Sequence, residues 1–310
     1  MLRHILIMSC FLFCAQVLTY GQCCSAGNPS TFSFIDHTSL KAKSLLFSTS
    51  YKYGFSDTYY QGNKPADVSF YAPANFSFMD LKVAFGISKR ITLQAETGYF
   101  FAKQQENPVP FPADKGFGLG DATLCLRYRI YKSMKHQVEI TSVAGLRLPV
   151  GVFDQENHGV KLPITVQPSS GSLVYMGGFS VAKSFTKSKL RLYSSAFAEF
   201  PQIIDSKNFY YRYGNLYNLS IAASYPVHRL FIPALQLQCE LRNRSTREKG
   251  QVVDASGYEV ISISPQIESV FPNDWSLLIY AELPVYRFFN GIQLANAYKT
   301  GIKLAKRFSL

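Results

Sequence analysis

Charge is scarce in this 310-residue chain. Asp, Glu, Lys and Arg make up 17% of it, against roughly a quarter in an average soluble domain. Tryptophan occurs once and glycine 20 times, and no heptad repeat runs through the sequence. A collagen-like or coiled-coil protein is therefore excluded. No long apolar run occurs beyond the N-terminus, which excludes a bundle of membrane-spanning helices. What is plentiful is aromatic: 20 Tyr and 25 Phe, in a chain that is 47% hydrophobic. Disordered chains show the opposite balance, few aromatics and much charge. Apolar residues this numerous, yet never in long runs, must be interspersed with polar ones.

The N-terminus predicts an export signal. Residues 1–4 (MLRH) form a short basic region, and Ile5 to Leu18 form an apolar core. Thr19 and Gly21 are the small residues of a cleavage site before Gln22. The apolar stretch is short for a spanning helix and fits a cleaved signal peptide over 1–21, with a membrane anchor as the alternative. Cleavage leaves Cys23, Cys24, Cys125 and Cys239, too few for a disulfide-built fold of this length. The vicinal Cys23-Cys24 has no CxxC and no His at ligand spacing nearby, so no metal site is expected.

The remaining chain repeats with a period of two. Strands are predicted over 42–53, 76–87, 91–102, 119–131, 137–149, 172–183, 189–200, 215–226, 231–243, 258–270, 275–285 and 292–308. Each is long enough to cross a bilayer as a tilted strand of about nine to eleven residues. The connections alternate in length: short near 88–90, 132–136, 185–188, 227–230 and 271–274, and longer over 54–75, 103–118, 150–171, 201–214 and 244–257. Such sorting of loops by parity is the signature of an outer-membrane barrel. An even strand number puts both termini on the short-turn, periplasmic side.

Cost decides which face meets lipid. In 119–131, Leu124, Leu126, Tyr128 and Ile130 oppose Asp121, Thr123, Arg127 and Arg129; in 231–243, Leu235, Leu237, Cys239 and Leu241 oppose Gln236, Gln238, Glu240 and Arg242. A basic residue facing lipid costs roughly 2–4 kcal/mol near the midplane. Turning Arg127, Arg129, Glu139, Arg147, Glu240 and Arg242 outward would exceed a typical domain's stability. The charged face must look inward, the reverse of a water-soluble barrel. Lys82, Glu96, Asp121, Arg127, Arg129, Glu139, Arg147, Gln236, Gln238, Glu240, Arg242, Glu282 and Lys299 are accordingly the candidate lumen-lining residues. In the final strand Ile292, Leu294, Tyr298, Ile302, Leu304 and Phe308 are expected outside, opposite Gln293, Lys299, Lys303 and Arg307.

Some inward charges are expected to pair, Lys82 with Glu96 and Arg129 with Glu139, across hairpins centred near Lys89 and Met134. Cross-strand ion pairs hold a sheet by a few tenths to about 1 kcal/mol, so these charges could serve the barrel rather than a solute. Aromatics gather at strand ends: Tyr51, Tyr53, Tyr59, Tyr60, Tyr99, Phe100, Phe101, Tyr210, Tyr211, Tyr213, Tyr286, Phe288 and Phe289. An interfacial girdle is the favoured reading, and a capture site for an apolar solute the other. Cys125 and Cys239 fall on opposite faces and should not bond.

No catalytic constellation emerges. Beyond the signal stretch His occurs at positions 37, 136, 158 and 228, with Asp154 and Glu156 near His158; GxSxG is absent. A nucleophile and base within reach are not visible, and an enzyme is not expected. The net charge of +12 is dispersed, unlike a nucleic-acid footprint. Much of it sits in the predicted periplasmic turns, at Lys89, Arg90, Lys132, Lys135, Lys187, Lys189 and Arg229.

Gly118-Leu119-Gly120-Asp121 opens a strand continuing ATLCLRYRIY, after the hairpin FGISKRITLQAETGYF, and the chain closes with YKTGIKLAKRF. This pattern resembles the outer-membrane channel family of the phenol-degradation meta-pathway type, a relative of long-chain fatty-acid channels. The resemblance implies uptake of small, often hydrophobic solutes. The expectation is an all-β, transmembrane antiparallel up-and-down barrel of about twelve strands over 41–310, preceded over 22–40 by a periplasmic leader or partial plug. It would act in the cell outer membrane as a passive channel or transporter, the alternative being a non-conducting structural barrel that anchors an envelope or secretion complex. Outer-membrane lipid, an unidentified small solute and the barrel-assembly machinery are the expected partners; no cofactor, metal or nucleic acid is.

Overall fold

The computed structural model describes residues 39–68, 72–107, 112–157, 159–206 and 209–310. The expected signal peptide, most of the 22–40 leader with Cys23-Cys24 and His37, and His158 lie outside the described residues. Eleven antiparallel strands close a barrel: β1 (Ser44–Gly62), β2 (Ala74–Gly86), β3 (Ile91–Gln105), β4 (Ala122–Ser133), β5 (Val138–Leu148), β6 (Val174–Ser184), β7 (Arg191–Pro201), β8 (Leu216–Ser224), β9 (Ile232–Arg242), β10 (Tyr258–Phe271) and β11 (Trp275–Ser309). Each pairs with its neighbour in sequence, and β11 returns to β1, from Ser44↔Ser309 to Gly62↔Phe289. Closure pairs every one of these strands on both sides, the condition for placing them in hydrocarbon, where unpaired backbone groups cost several kcal/mol each.

β11 spans 35 residues and makes two passes. Its first arm, up to Phe289, pairs with β10; its second, from Ile292, pairs with β1. Gly291 stands between the arms at φ +65°, a conformation glycine adopts without a Cβ penalty. The twelve crossings expected from periodicity are these eleven elements with the last folded in two.

Turns over 87–90, 134–137, 185–190, 225–231 and 272–274 lie at one end, and the longer loops lie at the other. The long loops hold more structure than expected. Asp114–Leu119 is a strand paired with the extended end of β3. It runs on into β4 through a break at Gly120-Asp121, and Gly118 within it takes a φ of +128°. Short hairpins also form from Glu156–Asn157 with Val160–Lys161 and from Ile204–Ser206 with Phe209–Tyr211.

Alternation holds through the ring. In β2, Asp80, Lys82 and Ala84 are buried while Leu81, Val83 and Phe85 are exposed; in β4, Cys125 and Arg127 are buried while Leu124, Leu126 and Tyr128 are exposed. The exposed Leu, Ile, Val and Phe side chains continue around the exterior. An apolar belt this extensive far exceeds the patches a soluble monomer shows. Buried Cys125 and exposed Cys239 are both free thiols, on opposite faces as expected.

Two readings are corrected. Leu294, expected to face lipid, is fully buried, against Tyr59, Ala72 and Ala74. Register shifts around Ser56, where β1 passes from Tyr298 to Asn296 and Ala295, insert an extra residue and flip the facing of the residues beyond it. Arg129 does not lie directly opposite Glu139, because a bulge between Arg129 and Tyr131 shifts the register and sets Glu139 opposite Lys132; the expected Arg129–Glu139 ion pair forms nonetheless, at 3.6 Å.

A candidate lumen site

The strands bring charged side chains from sequence-distant positions into one interior. Toward the short-turn end these side chains are tightly paired. Lys52 Nζ lies 2.8 Å from Asp80 Oδ2, and Ser50 Oγ donates to the same oxygen at 2.5 Å. Lys82 Nζ is 3.2 Å from Glu96 Oε2, on directly opposed strand positions, as the hairpin symmetry required. Arg127 Nε donates to Gln94 Oε1 at 3.2 Å. Glu139 receives Lys132 Nζ at 2.9 Å and lies 3.6 Å from Arg129 Nε. Gln266 Nε2 donates to Gln236 Oε1 at 2.9 Å. Lys82 and Arg127 are 2% and 3% exposed, so this stretch of the lumen is filled by buried ionic side chains set against one another.

Residues just ahead of β1 join this filling. Ser39 donates to Glu139 Oε1 from its backbone N and from Oγ, each at 2.8 Å, and its Oγ accepts from Arg129 Nε at 2.6 Å. Leu40 N donates to Thr92 Oγ1 at 3.1 Å, and the Leu40 side chain is buried with Leu46, Ala84 and Ala305.

Toward the long-loop end the interior opens into a cavity of about 150 Å³, room for several waters. Its wall carries a bidentate pair, with Arg147 Nη1 and Nη2 at 3.0 and 2.7 Å from the two carboxylate oxygens of Glu199. Lys299 Nζ is 2.9 Å from Glu282 Oε1 across the two arms of β11. Tyr258 donates its hydroxyl to Glu240 and accepts from Arg242 Nε at 3.4 Å. Arg287 donates to the Asn296 carbonyl at 3.0 Å and stacks 5.3 Å from the Tyr60 ring centroid; its buried Nε has no hydrogen-bond partner among the described residues. Beside these charges stand Ile164, Tyr211, Tyr213, Leu216, Phe289 and Leu294. The cavity therefore offers both ionic and apolar contacts.

Loop 149–173 folds into this mouth. Gln167, fully buried, donates from Nε2 to the carbonyls of Gln155 and Leu162, each at 3.0 Å, and its own carbonyl accepts from Lys103 Nζ at 2.8 Å. Asp121 accepts from Ser169 Oγ at 2.5 Å, Ser170 N at 3.1 Å and Ser170 Oγ at 2.6 Å. Ile164 packs with Ile204 and Tyr211, against which Phe153, Phe209, Tyr213 and Val253 also lie.

The thirteen residues expected along the lumen divide among these three zones. Lys82, Glu96, Arg127, Arg129, Glu139 and Gln236 belong to the ionic filling. Arg147, Gln238, Glu240, Arg242, Glu282 and Lys299 line the cavity. Asp121 is a loop anchor. Lys52, Asp80 and Glu199 lie on the same inward face of their strands, and the alternation that selected the others points to them as well. Arg287 escaped because β11 runs past the expected strand end at 285. The aromatic set is also split. Tyr51, Tyr99, Phe101, Tyr286 and Phe288 are exposed, as a girdle requires, whereas Tyr59, Phe100, Tyr211 and Phe289 are buried. Tyr211 and Phe289 contribute to the cavity wall.

No family model matches the sequence, and no curated protein matches it. Solved structures do. A COG4313 outer membrane channel from Pseudomonas putida F1 superposes with a TM-score of 0.69 at 13% identity, over 91% of this chain and 99% of that one. The translocator domain of the autotransporter NalP from Neisseria meningitidis has a TM-score of 0.48 at 9% identity, covering 88% of this chain and 90% of its own. The TodX monoaromatic hydrocarbon channel deltaS2 mutant also scores 0.48, at 7% identity, over 87% and 91%. At 13% identity the first of these likenesses speaks for the fold, and it agrees with the closed ring, the sorted loops and the apolar exterior: the chain folds as an outer-membrane β-barrel.

Proposed function

We propose that the barrel is a passive outer-membrane channel or transporter for a small solute with apolar character. The cavity beneath loop 149–173 carries this reading, because it sets aromatic and aliphatic side chains beside a ladder of ion pairs inside a membrane-spanning wall. A solute from outside would meet the Phe153, Phe209 and Tyr211 cluster first, then the cavity, then the ionic filling. That filling, with Ser39 and Leu40 inserted, is the narrow part of the path. The 22–40 leader, which ends in those two residues, acts in this reading as a partial plug. The Pseudomonas putida protein of like fold is itself described as an outer membrane channel, which supports the same function.

A second reading, a non-conducting anchor for an envelope complex, is favoured by how completely the ion pairs fill the short-turn half. Planar-bilayer conductance of the refolded chain separates the two. The channel reading expects small discrete steps that grow when Arg127 is replaced by Ala. A barrel that folds, inserts and stays silent in both forms refutes it.

A further inference from the structure

Charge is distributed unequally between the two ends of the barrel. The five short turns hold six basic residues, Lys89, Arg90, Lys135, Lys187, Lys189 and Arg229, every one exposed. Asp274 is their one carboxylate. The loops at the other end, over 63–73, 106–121, 149–173, 202–215 and 243–257, hold nine acidic and eight basic residues, close to balance. Of the two ends, one rim therefore carries the positive excess.

That rim sits at headgroup depth. Exposed Ile87, Phe185, Phe231 and Phe271 border or belong to the same turns and mark the edge of the apolar belt. Trp275, the single tryptophan of the chain, is exposed just after the last turn. Indoles favour the boundary between hydrocarbon and water. Lys306 Nζ lies 5.4 Å from the Trp275 ring centroid and donates to the Asn273 carbonyl. The Arg229 carbonyl accepts from Val270 N at 2.7 Å, which ties the neighbouring turn to the same corner. The corner thus offers an aromatic ring with one cation over it, and a second, exposed cation in the turn tied to it, beside a lipid-facing surface.

We propose that the basic rim binds anionic phospholipid headgroups of the periplasmic leaflet, and that Arg229, Trp275 and Lys306 form one such contact. Each basic residue near an anionic surface adds to the attraction, and the effect fades within a Debye length. Spreading the charges over four turns recruits a ring of lipid rather than one tightly held molecule.

The lone tryptophan makes this testable. The refolded full chain is placed in phosphatidylcholine bilayers containing a minority of phosphatidylglycerol. Brominated chains are carried by the phosphatidylglycerol in one preparation, and by an equal mole fraction of the phosphatidylcholine in the other. Bromine quenches an indole it touches, so fluorescence reports which lipid lies beside Trp275. Quenching is expected to be about two-fold or more stronger with brominated phosphatidylglycerol. The difference should shrink at high salt and in an Arg229→Gln/Lys306→Gln variant whose heat-dependent gel shift shows an intact barrel. Equal quenching by the two lipids in the wild type overturns the proposal. Equal quenching together with co-sedimentation on isolated peptidoglycan would assign the rim to the wall polymer, and overturns it too.

Discussion

Replacing Asp121 by Ala tests how the mouth of the barrel is held. The carboxylate accepts three hydrogen bonds from loop 149–173, at 2.5, 3.1 and 2.6 Å. A hydrogen bond to a charged group contributes about 1.5–3 kcal/mol. The three do not add fully, because the Ser169 and Ser170 hydroxyls can turn to water once the carboxylate is gone. We therefore expect the loop to lose about 3 kcal/mol of local stability, close to a hundred-fold rise in its opened fraction. Hydrogen exchange read by mass spectrometry measures that fraction. The informative amides are Ser170 N, bonded to Asp121, and Ser169 N and Leu162 N, whose acceptors are the carbonyls of Val152 and Gln155. Their exchange should accelerate by about two decades in Asp121→Ala, while amides of β8 and β9 stay unchanged. Asp121→Asn, which keeps an acceptor oxygen, should fall between. If exchange across 149–173 stays within about three-fold of wild type in an intact barrel, Gln167 and the Ile164 cluster hold the loop without Asp121, and the reasoning fails.

Three further outcomes rest on the facing of individual side chains. Leu237→Lys puts a charge on the lipid face of β9 and should cost about 2–4 kcal/mol in unfolding from vesicles, whereas Gln238→Lys on the inner face should cost well under half of that. Gly98→Ala would set a Cβ 2.2 Å from Phe78 Cζ and 2.6 Å from the Met79 carbonyl; a loss of about 1–3 kcal/mol is expected by urea titration, relieved in part by adding Phe78→Ala. Arg147→Ala strands the buried Glu199 carboxylate and should destabilise by about 3 kcal/mol, while the Arg147→Ala/Glu199→Ala double variant recovers much of that in a mutant cycle.

The pattern along the chain made the barrel legible. Each crossing announces itself by period-two alternation, and a charge facing hydrocarbon is costly enough to settle which way every strand points. Leu81 against Lys82 and Leu126 against Arg127 need no coordinates to be sorted. Lys82 facing Glu96 was legible too, because the turn between them is short and regular. The register at Arg129 and the facing of Leu294 escaped the pattern for one shared reason: a bulge adds a residue to one strand and reverses the residues beyond it, and no composition rule locates it. The aromatics misled in a related way. Phe100 and Phe101 are adjacent in sequence, yet one is buried inside and the other meets lipid.

What the sequence determined is local. Alternation, turn residues and the cost of a misplaced charge are properties of neighbouring positions, so strand number, facing away from the bulges and the positive rim could be read without coordinates. What only the tertiary structure decided is which distant groups share the interior. Arg147 finds Glu199 two strands away, Asp121 holds a loop some fifty residues on, and Ser39 reaches Glu139 across the lumen. Those meetings depend on closure and on register around the whole ring. An error of one bulge reverses the side chains beyond it in that strand, so a filled short-turn half and an open cavity above it emerge only once the ring is complete.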